Sequence, residues 1–155
     1  MLCSMIISSP RFENGKKIPE EYTCDGKNIS PPLEISDVPK EAKSLVLIME
    51  DPDVPKTIRA DGMWDHWIVF NIPPNITKIE EGINPQGKLG INTNTKLSYS
   101  GPCPPDKQHR YFFKLFALDI ELNLNQGASK KQVEEAMKGH ILKESVLMGL
   151  YYRRK

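Results

Sequence analysis

Three segments of the chain have the apolar patterns expected of buried β-strands. Residues 44–49 form a continuous apolar run between charged residues, and the run is too short for a good helix. Residues 66–72 are rich in β-branched and aromatic side chains and end at a pair of prolines. In residues 111–118 both alternating faces are mostly apolar, which is typical of a central strand covered on both sides. Shorter strands are predicted at 5–8, 33–35 and 146–152.

One helix is predicted near the C-terminus. Ser129 and Gln132 have the spacing of a capping box. Three apolar residues then fall on one helical face: Val133, Ala136 and Met137. Gly139 suits a C-terminal cap, and a second helical turn is expected at 140–144. Without repeats or linkers, the pattern predicts one domain over 1–155, mostly β, an antiparallel β-sandwich of two packed sheets with one or two short helices near the C-terminus.

Composition narrows the class of protein. The 155 residues suffice for one core without disulfides. The 13 prolines favour short strands and structured loops over long helices. A net charge of +1 gives no reason to expect a nucleic-acid partner. No stretch is apolar enough for an integral membrane segment, and the start lacks the features of a signal peptide, so a soluble, cytoplasmic protein is expected.

The cysteines indicate no metal site and no disulfide. Cys3, Cys24 and Cys103 are odd in number and far apart, and no pair has the spacing of a zinc site. We therefore expect three free thiols.

Three loops beside the predicted long strands contain residues that could bind a ligand or take part in chemistry. Residues 51–55 (DPDVP) hold two carboxylates on a stiff proline-rich turn, although a solvated turn would read the same way. Residues 64–67 (WDHW) place a histidine between tryptophans, which could also be simple packing. Residues 100–111 combine Gly-Pro-x-Pro-Pro with His-Arg-Tyr, a combination that chance rarely produces.

Together these loops resemble one family, the phosphatidylethanolamine-binding proteins, also called Raf-kinase-inhibitor-like proteins, and most closely their bacterial and archaeal branch. The resemblance extends from about residue 12 to residue 152 and includes residues 22–33 and 139–144. Four positions depart from the usual pattern without removing a central residue: Ile35, Asp37, Val54 and Lys107.

The resemblance implies a β-sandwich with a small pocket for anionic groups such as phosphate or a phospholipid head group. By motif match, the ligand-binding residues are Asp51, Asp53, His66, Gly101, His109 and Tyr111, with Pro55 and Trp64 at the wall. Loops 51–55, 64–66 and 101–109 should then converge on one cavity.

The pocket chemistry follows from these residue types. A carboxylate repels an ionised phosphate but accepts a hydrogen bond from a protonated phosphate oxygen or an imidazolium. His66 and His109 are expected to supply positive charge, while the Gly101 N–H and the Tyr111 hydroxyl serve as neutral donors. Such a site should favour a singly protonated or monoester phosphoryl group over a bare dianion, with any lipid tail outside.

The expected function is that of a binding protein, acting as a regulator or inhibitor of a kinase or protease. No catalytic residue, metal or cofactor is predicted, because the chain shows no convincing nucleophile or ligand set. Two alternatives stay open: a small hydrolase using the same His/Asp pocket for acid–base chemistry, and protease inhibition through a surface loop. A homodimer is also left open.

Overall fold

The computed structural model describes residues 4–154, which form two β-sheets and one α-helix. In chain order the elements are β1 (Ile6–Ser8), β2 (Lys16–Lys17), a 3-10 turn (Glu20–Tyr22), β3 (Leu33–Ser36), β4 (Ser44–Asp51), β5 (Trp64–Ile72), β6 (Lys78–Ile79), β7 (Lys88–Leu89), β8 (His109–Leu118), α1 (Lys130–Met137) and β9 (Ile141–Tyr151). The predicted fold class, a mostly β sandwich of two sheets, is confirmed.

The larger sheet has the order β2-β9-β8-β4-β5-β7, and the smaller has the order β1-β3-β6. All neighbouring pairs are antiparallel except β2 and β9. The main core contains apolar side chains of both sheets, among them Leu33, Leu47, Trp67 and Phe113. A second core covers the opposite face of the large sheet, where Val133 and Met137 of α1 contribute. The large sheet is therefore covered on both faces at its centre.

The three predicted long strands are β4, β5 and β8, and they are adjacent in the large sheet. Every residue of β4 is buried, as its continuous apolar run predicts. In β8 one face is fully buried and the other is partly exposed. Apolar cores lie against both faces of these three strands, as expected of strands at the centre of a covered sheet.

The prediction for residues 140–144 is wrong. They do not form a helical turn, because β9 begins at Ile141 and pairs with β8 over its whole length. Gly139, with φ of +80°, turns the chain directly after the C-cap Lys138. Pairing with the long central strand then determines the structure of these residues, whose own pattern is ambiguous.

Helix α1 has the predicted capping box. The Ser129 hydroxyl accepts the Gln132 N–H, and the Gln132 side chain accepts the Ser129 N–H. Lys130, in a first turn that disfavours cations, reaches across to the large sheet. Its Nζ lies 2.8 Å from Asp65 Oδ1 and 3.2 Å from Glu50 Oε1, so this lysine ties the helix to β4 and β5.

The prediction of three free thiols is also wrong. Cys24 and Cys103, which are 79 positions apart, form a disulfide, while Cys3 lies outside the described residues. A backbone hydrogen bond also joins these loops, since the Cys24 N–H donates to the Pro102 carbonyl. The expected cytoplasmic location thus loses the support of reduced thiols and stays a prediction.

Candidate functional site

The three predicted loops converge on one cavity of about 230 Å³. The cavity lies where β4 ends and where β5 and β8 begin. It is lined by Asp51, Val54, Ile58, Trp64, His66, Asn94, Gly101, Cys103, Pro104, Pro105, His109 and Tyr111. The predicted convergence of Asp51, His66 and His109 is therefore confirmed, whereas a ligand for the cavity stays a prediction.

A β-bulge positions His66. In the ladder between β4 and β5, Met49 is opposite Trp67 and Glu50 is opposite Asp65, so His66 is an extra residue without a partner. A bulge of this kind changes the direction of a side chain and is frequent beside functional sites. The His66 ring is then fixed, because its Nδ1 donates to the Ser100 carbonyl at 2.6 Å.

His66 is a neutral histidine. Its side chain is buried, and burial lowers its pKa to about 4 despite the hydrogen bond to Ser100. With the proton on Nδ1, the Nε2 atom is a hydrogen-bond acceptor, and this buried atom has no partner among the described residues. The expectation that His66 supplies positive charge is wrong for neutral pH, because none of the carboxylates that the structure describes offsets the cost of burying its cation.

His109 lies between two carboxylates. Its Nδ1 is 2.6 Å from Asp51 Oδ2 and its Nε2 is 2.7 Å from Asp106 Oδ1. The other oxygen of Asp51 accepts the Asp53 N–H at 2.7 Å. Only an imidazolium can donate from both nitrogens, so His109 is the cation of the cavity.

The pKa directions agree with this arrangement. Burial lowers the pKa of His109, but the hydrogen bonds to Asp51 and Asp106 outweigh it and leave the pKa raised. Burial raises the pKa of Asp51, and His109 offsets only part of that rise. The hydrogen bond from His109 lowers the pKa of Asp106. Since His109 donates to both groups, we assign Asp51 and Asp106 as carboxylates at neutral pH.

Tyr111 contributes the second unpartnered polar group of the cavity. Its ring packs edge-on against His66, with centroids 5.3 Å apart. The buried hydroxyl has no hydrogen-bond partner among the described residues. Burial raises the pKa of Tyr111, so the hydroxyl keeps its proton and can donate.

Gly101 has a different role from the one expected. Its N–H donates to Asn28 Oδ1 at 2.8 Å and is therefore not a free donor in the cavity. A Cβ at this position would lie 2.3 Å from the Tyr22 carbonyl oxygen, so only glycine allows the loop to approach this closely.

Two predicted site residues lie outside the cavity lining. Asp53 forms a bidentate pair with Arg110, at 2.9 Å and 2.7 Å. Pro55 begins a turn in which its carbonyl accepts the N–H groups of Ile58 and Arg59. Their roles in binding stay predictions.

Sequence reasoning missed several lining residues. Pro104 and Pro105 belong to the motif that predicts the third loop, so their position could have been inferred. Ile58 and Asn94 carry no such signal, because each comes from a long loop whose path depends on tertiary contacts. Asp106, the partner of His109 Nε2, also went unrecognised, although it lies three residues before that histidine.

Residues 4–154 contain no group of three or more His, Cys, Asp or Glu side chains arranged to hold a metal ion. They also contain no helix of the length and apolarity needed to cross a membrane.

Comparisons with known proteins agree with the motifs. Residues 8–152 match the family model of the phosphatidylethanolamine-binding protein. A UPF0098 protein of Chlamydia pneumoniae is 54% identical over 147 residues, which cover 95% of this chain and 98% of the relative. A UPF0098 protein of Methanothermobacter thermautotrophicus is 50% identical, covering 96% of this chain and 99% of the relative.

Two crystal structures are also similar. A homologue of the phosphatidylethanolamine-binding proteins from Chlamydia trachomatis superposes with a TM-score of 0.95 at 49% identity, covering 97% of this chain and 99% of the other. Escherichia coli YbcL, described as a member of the mammalian family, gives a TM-score of 0.88 at 26% identity and covers 98% and 100%. The chain therefore belongs to the phosphatidylethanolamine-binding protein family.

Proposed function

We propose that the protein binds a singly protonated phosphoryl group, such as that of phosphate or a phosphorylated head group, in the cavity between His66, His109 and Tyr111. The observation that carries the proposal is the pair of buried, unpartnered polar atoms in this cavity, His66 Nε2 and the Tyr111 hydroxyl. Family membership supports ligand binding in general.

The two atoms have complementary requirements. His66 Nε2 is an acceptor that needs a donor, whereas the Tyr111 hydroxyl is a donor that needs an acceptor. A P–OH group would donate to His66, and a phosphoryl oxygen would accept from Tyr111. Buried polar atoms are costly when unpaired, so a ligand that pairs both at once gains affinity from each.

Charge favours the singly protonated form. The Asp51–His109–Asp106 group combines two carboxylates with one imidazolium, so its net charge is negative and disfavours a dianion. A phosphate monoester loses its second proton near a pKa of about 6. Binding should therefore weaken as rising pH removes the ligand proton that His66 accepts.

The hydrolase alternative has weaker support. With a pKa of about 4, His66 is a poor general base at neutral pH. Cys103, the cysteine of the cavity lining, is in a disulfide and offers no thiolate. A regulatory role toward a kinase or protease stays a prediction from the family resemblance.

The test is titration calorimetry with inorganic phosphate and O-phosphoethanolamine on matched tyrosine variants. Tyr111→Phe should weaken binding by about 1 kcal/mol, or roughly fivefold, without lowering the free energy of unfolding, because the lost hydroxyl has no protein partner. Tyr151→Phe is the control. It removes a hydroxyl that donates to Asp25 at 2.6 Å, so it should destabilise the fold and leave affinity unchanged. Binding by wild type that Tyr111→Phe does not weaken would refute the proposed site.

A further inference from the structure

Asp106 contacts His109 from outside the lining of the cavity. Asp51 already accepts from His109 Nδ1, inside the cavity. Asp106 accepts from Nε2 at 2.7 Å and belongs to the loop between Pro105 and β8. Its side chain is 41% exposed, whereas that of His109 is fully buried.

This geometry fixes the protonation state of the ring. A neutral imidazole has one N–H and can satisfy one carboxylate. Here each nitrogen has a carboxylate oxygen within 2.7 Å, so deprotonation would leave one carboxylate facing a lone pair. The second carboxylate is therefore what makes the neutral ring unfavourable.

We propose that Asp106 is a positioning residue that holds His109 as an imidazolium and thereby sets the pH range in which this ring keeps its positive charge. The inference deepens the proposed function, on which its binding half rests, by naming how pH acts on the same site. Asp106 would act through His109 and need not touch the ligand.

The surroundings of His109 support the assignment to Asp106. The titratable and charged groups that face the ring or act on its charge are Asp51 at the end of β4, Asp53 with its partner Arg110, His66 on β5, Tyr111 on β8, Tyr151 opposite it on β9, and Asp106. Of these, His66 is neutral, the tyrosines keep their protons, and Asp53 is neutralised by Arg110. Only Asp51 and Asp106 are left to balance the imidazolium, and of the two only Asp106 is exposed.

The pKa directions point the same way. Burial by itself favours the neutral ring, yet the pKa of His109 is raised because two carboxylates accept its protons. Without the charge of Asp106, only Asp51 would raise the pKa of His109 against the lowering effect of burial. His109 should then lose its proton at lower pH than in wild type.

The first measurement needs no ligand. The ring signals of His109 in NMR spectra of wild type and Asp106→Asn give the titration midpoint of this histidine. The variant keeps an oxygen beside Nε2 and removes the charge, so the midpoint should move to lower pH. Asp61→Asn is the matched control, because Asp61 is an exposed carboxylate whose oxygen accepts the Met63 N–H and makes no contact with His109. The midpoint of His109 in this control should equal that of wild type.

The second measurement is phosphate affinity from about pH 5.5 to 8.5 by calorimetry. The ratio of the Kd values of Asp106→Asn and wild type cancels the titration of phosphate itself. At low pH the variant should bind more tightly, since a carboxylate has gone and the cation remains. The affinity advantage of the variant should shrink by about threefold or more as its His109 loses the proton. The midpoint of this change should equal the His109 midpoint that NMR gives for the variant.

The outcomes separate this inference from the proposed function. A shifted midpoint together with a pH-dependent ratio of Kd values supports the inference. An unshifted His109 midpoint, or a ratio that is constant with pH as for a plain charge effect, overturns it even if phosphate binds. A shifted midpoint with no phosphate binding in either protein overturns the proposed function and the binding half of the inference, and leaves the protonation of His109 by Asp106 established.

Discussion

His66 couples the cavity to the stability of the fold. The unfolded chain gives this histidine an ordinary pKa of about 6.5, whereas burial in the folded protein lowers the pKa to about 4. The unfolded state therefore binds more protons than the folded state between these values. Stability should be fully present above about pH 6.5 and should fall as the pH decreases toward 4, by about 3 kcal/mol from this residue.

Denaturant unfolding between about pH 4 and pH 7.5 measures this loss. His66→Gln removes the titration and should flatten the curve over this range, while His140→Gln, at a partly exposed histidine that contacts Asp119, should retain the wild-type fall. If His66→Gln does not fold, the NMR titration of His66 in wild type gives the same answer directly. A His66 midpoint near 6.5 in the folded protein would contradict the neutral assignment.

At the scale of residues, the sequence predicts which side chains meet but not how they pair. Motifs place Asp51, His66 and His109 around one cavity, as the structure has them. However, Nδ1 of His66 donates to the Ser100 carbonyl and Nε2 of His109 donates to Asp106. The positions of both partners depend on the path of the proline-rich loop. For this reason two histidines of similar appearance in the sequence differ in charge, with His66 neutral and His109 positive.

The N-terminus of α1 is stabilised by one ion-pair group. Lys130 bridges Glu50 and Asp65 while its side chain is only 15% exposed. Lys130→Met should destabilise the protein by about 2 kcal/mol or more, because the change leaves two largely buried carboxylates with one cation fewer. Lys131→Met is the matched control at the adjacent exposed position and should change the free energy of unfolding by less than about 0.5 kcal/mol. Equal effects of the two substitutions in denaturant unfolding would contradict this role.

At the scale of elements, strands with strong apolar patterns are predictable from the sequence, whereas strand segments with mostly exposed residues are not. The continuous run of β4 permits little besides a buried strand. The first residues of β9 are mostly exposed, so their pattern lacks a buried face and resembles a helix end. Their structure comes from pairing with β8, a contact between residues more than twenty positions apart that local patterns do not contain.

At the scale of the whole molecule, two distant loops brace the cavity together. The 3-10 turn and the loop that follows it contact the 99–103 segment. The Tyr99 hydroxyl donates to the Tyr22 carbonyl, and the Gly101 N–H donates to Asn28. The disulfide joins the same loops. The sequence contains the two cysteines but no local sign that they meet, because only the packing of the sandwich makes them neighbours.

The disulfide should therefore be a large term in stability and a small one in binding. Closing a loop of 79 residues restricts the unfolded chain, which corresponds to about 4.5 kcal/mol in the chain-entropy account. The double variant Cys24→Ser/Cys103→Ser should lose most of that in denaturant unfolding. Wild type unfolded with a reductant should show the same loss, whereas the double variant should not respond to the reductant. Before reduction, Cys24 and Cys103 should resist alkylation in the denatured chain.

Phosphate affinity of the folded double variant should stay within about threefold of wild type, because the hydrogen bonds of Tyr99 and Gly101 still hold the loops, and each such bond contributes about 1 kcal/mol. A reductant that leaves the unfolding midpoint of wild type unchanged would show that the bond does not form, and a complete loss of binding in the folded variant would show that the disulfide, rather than the hydrogen bonds, shapes the cavity.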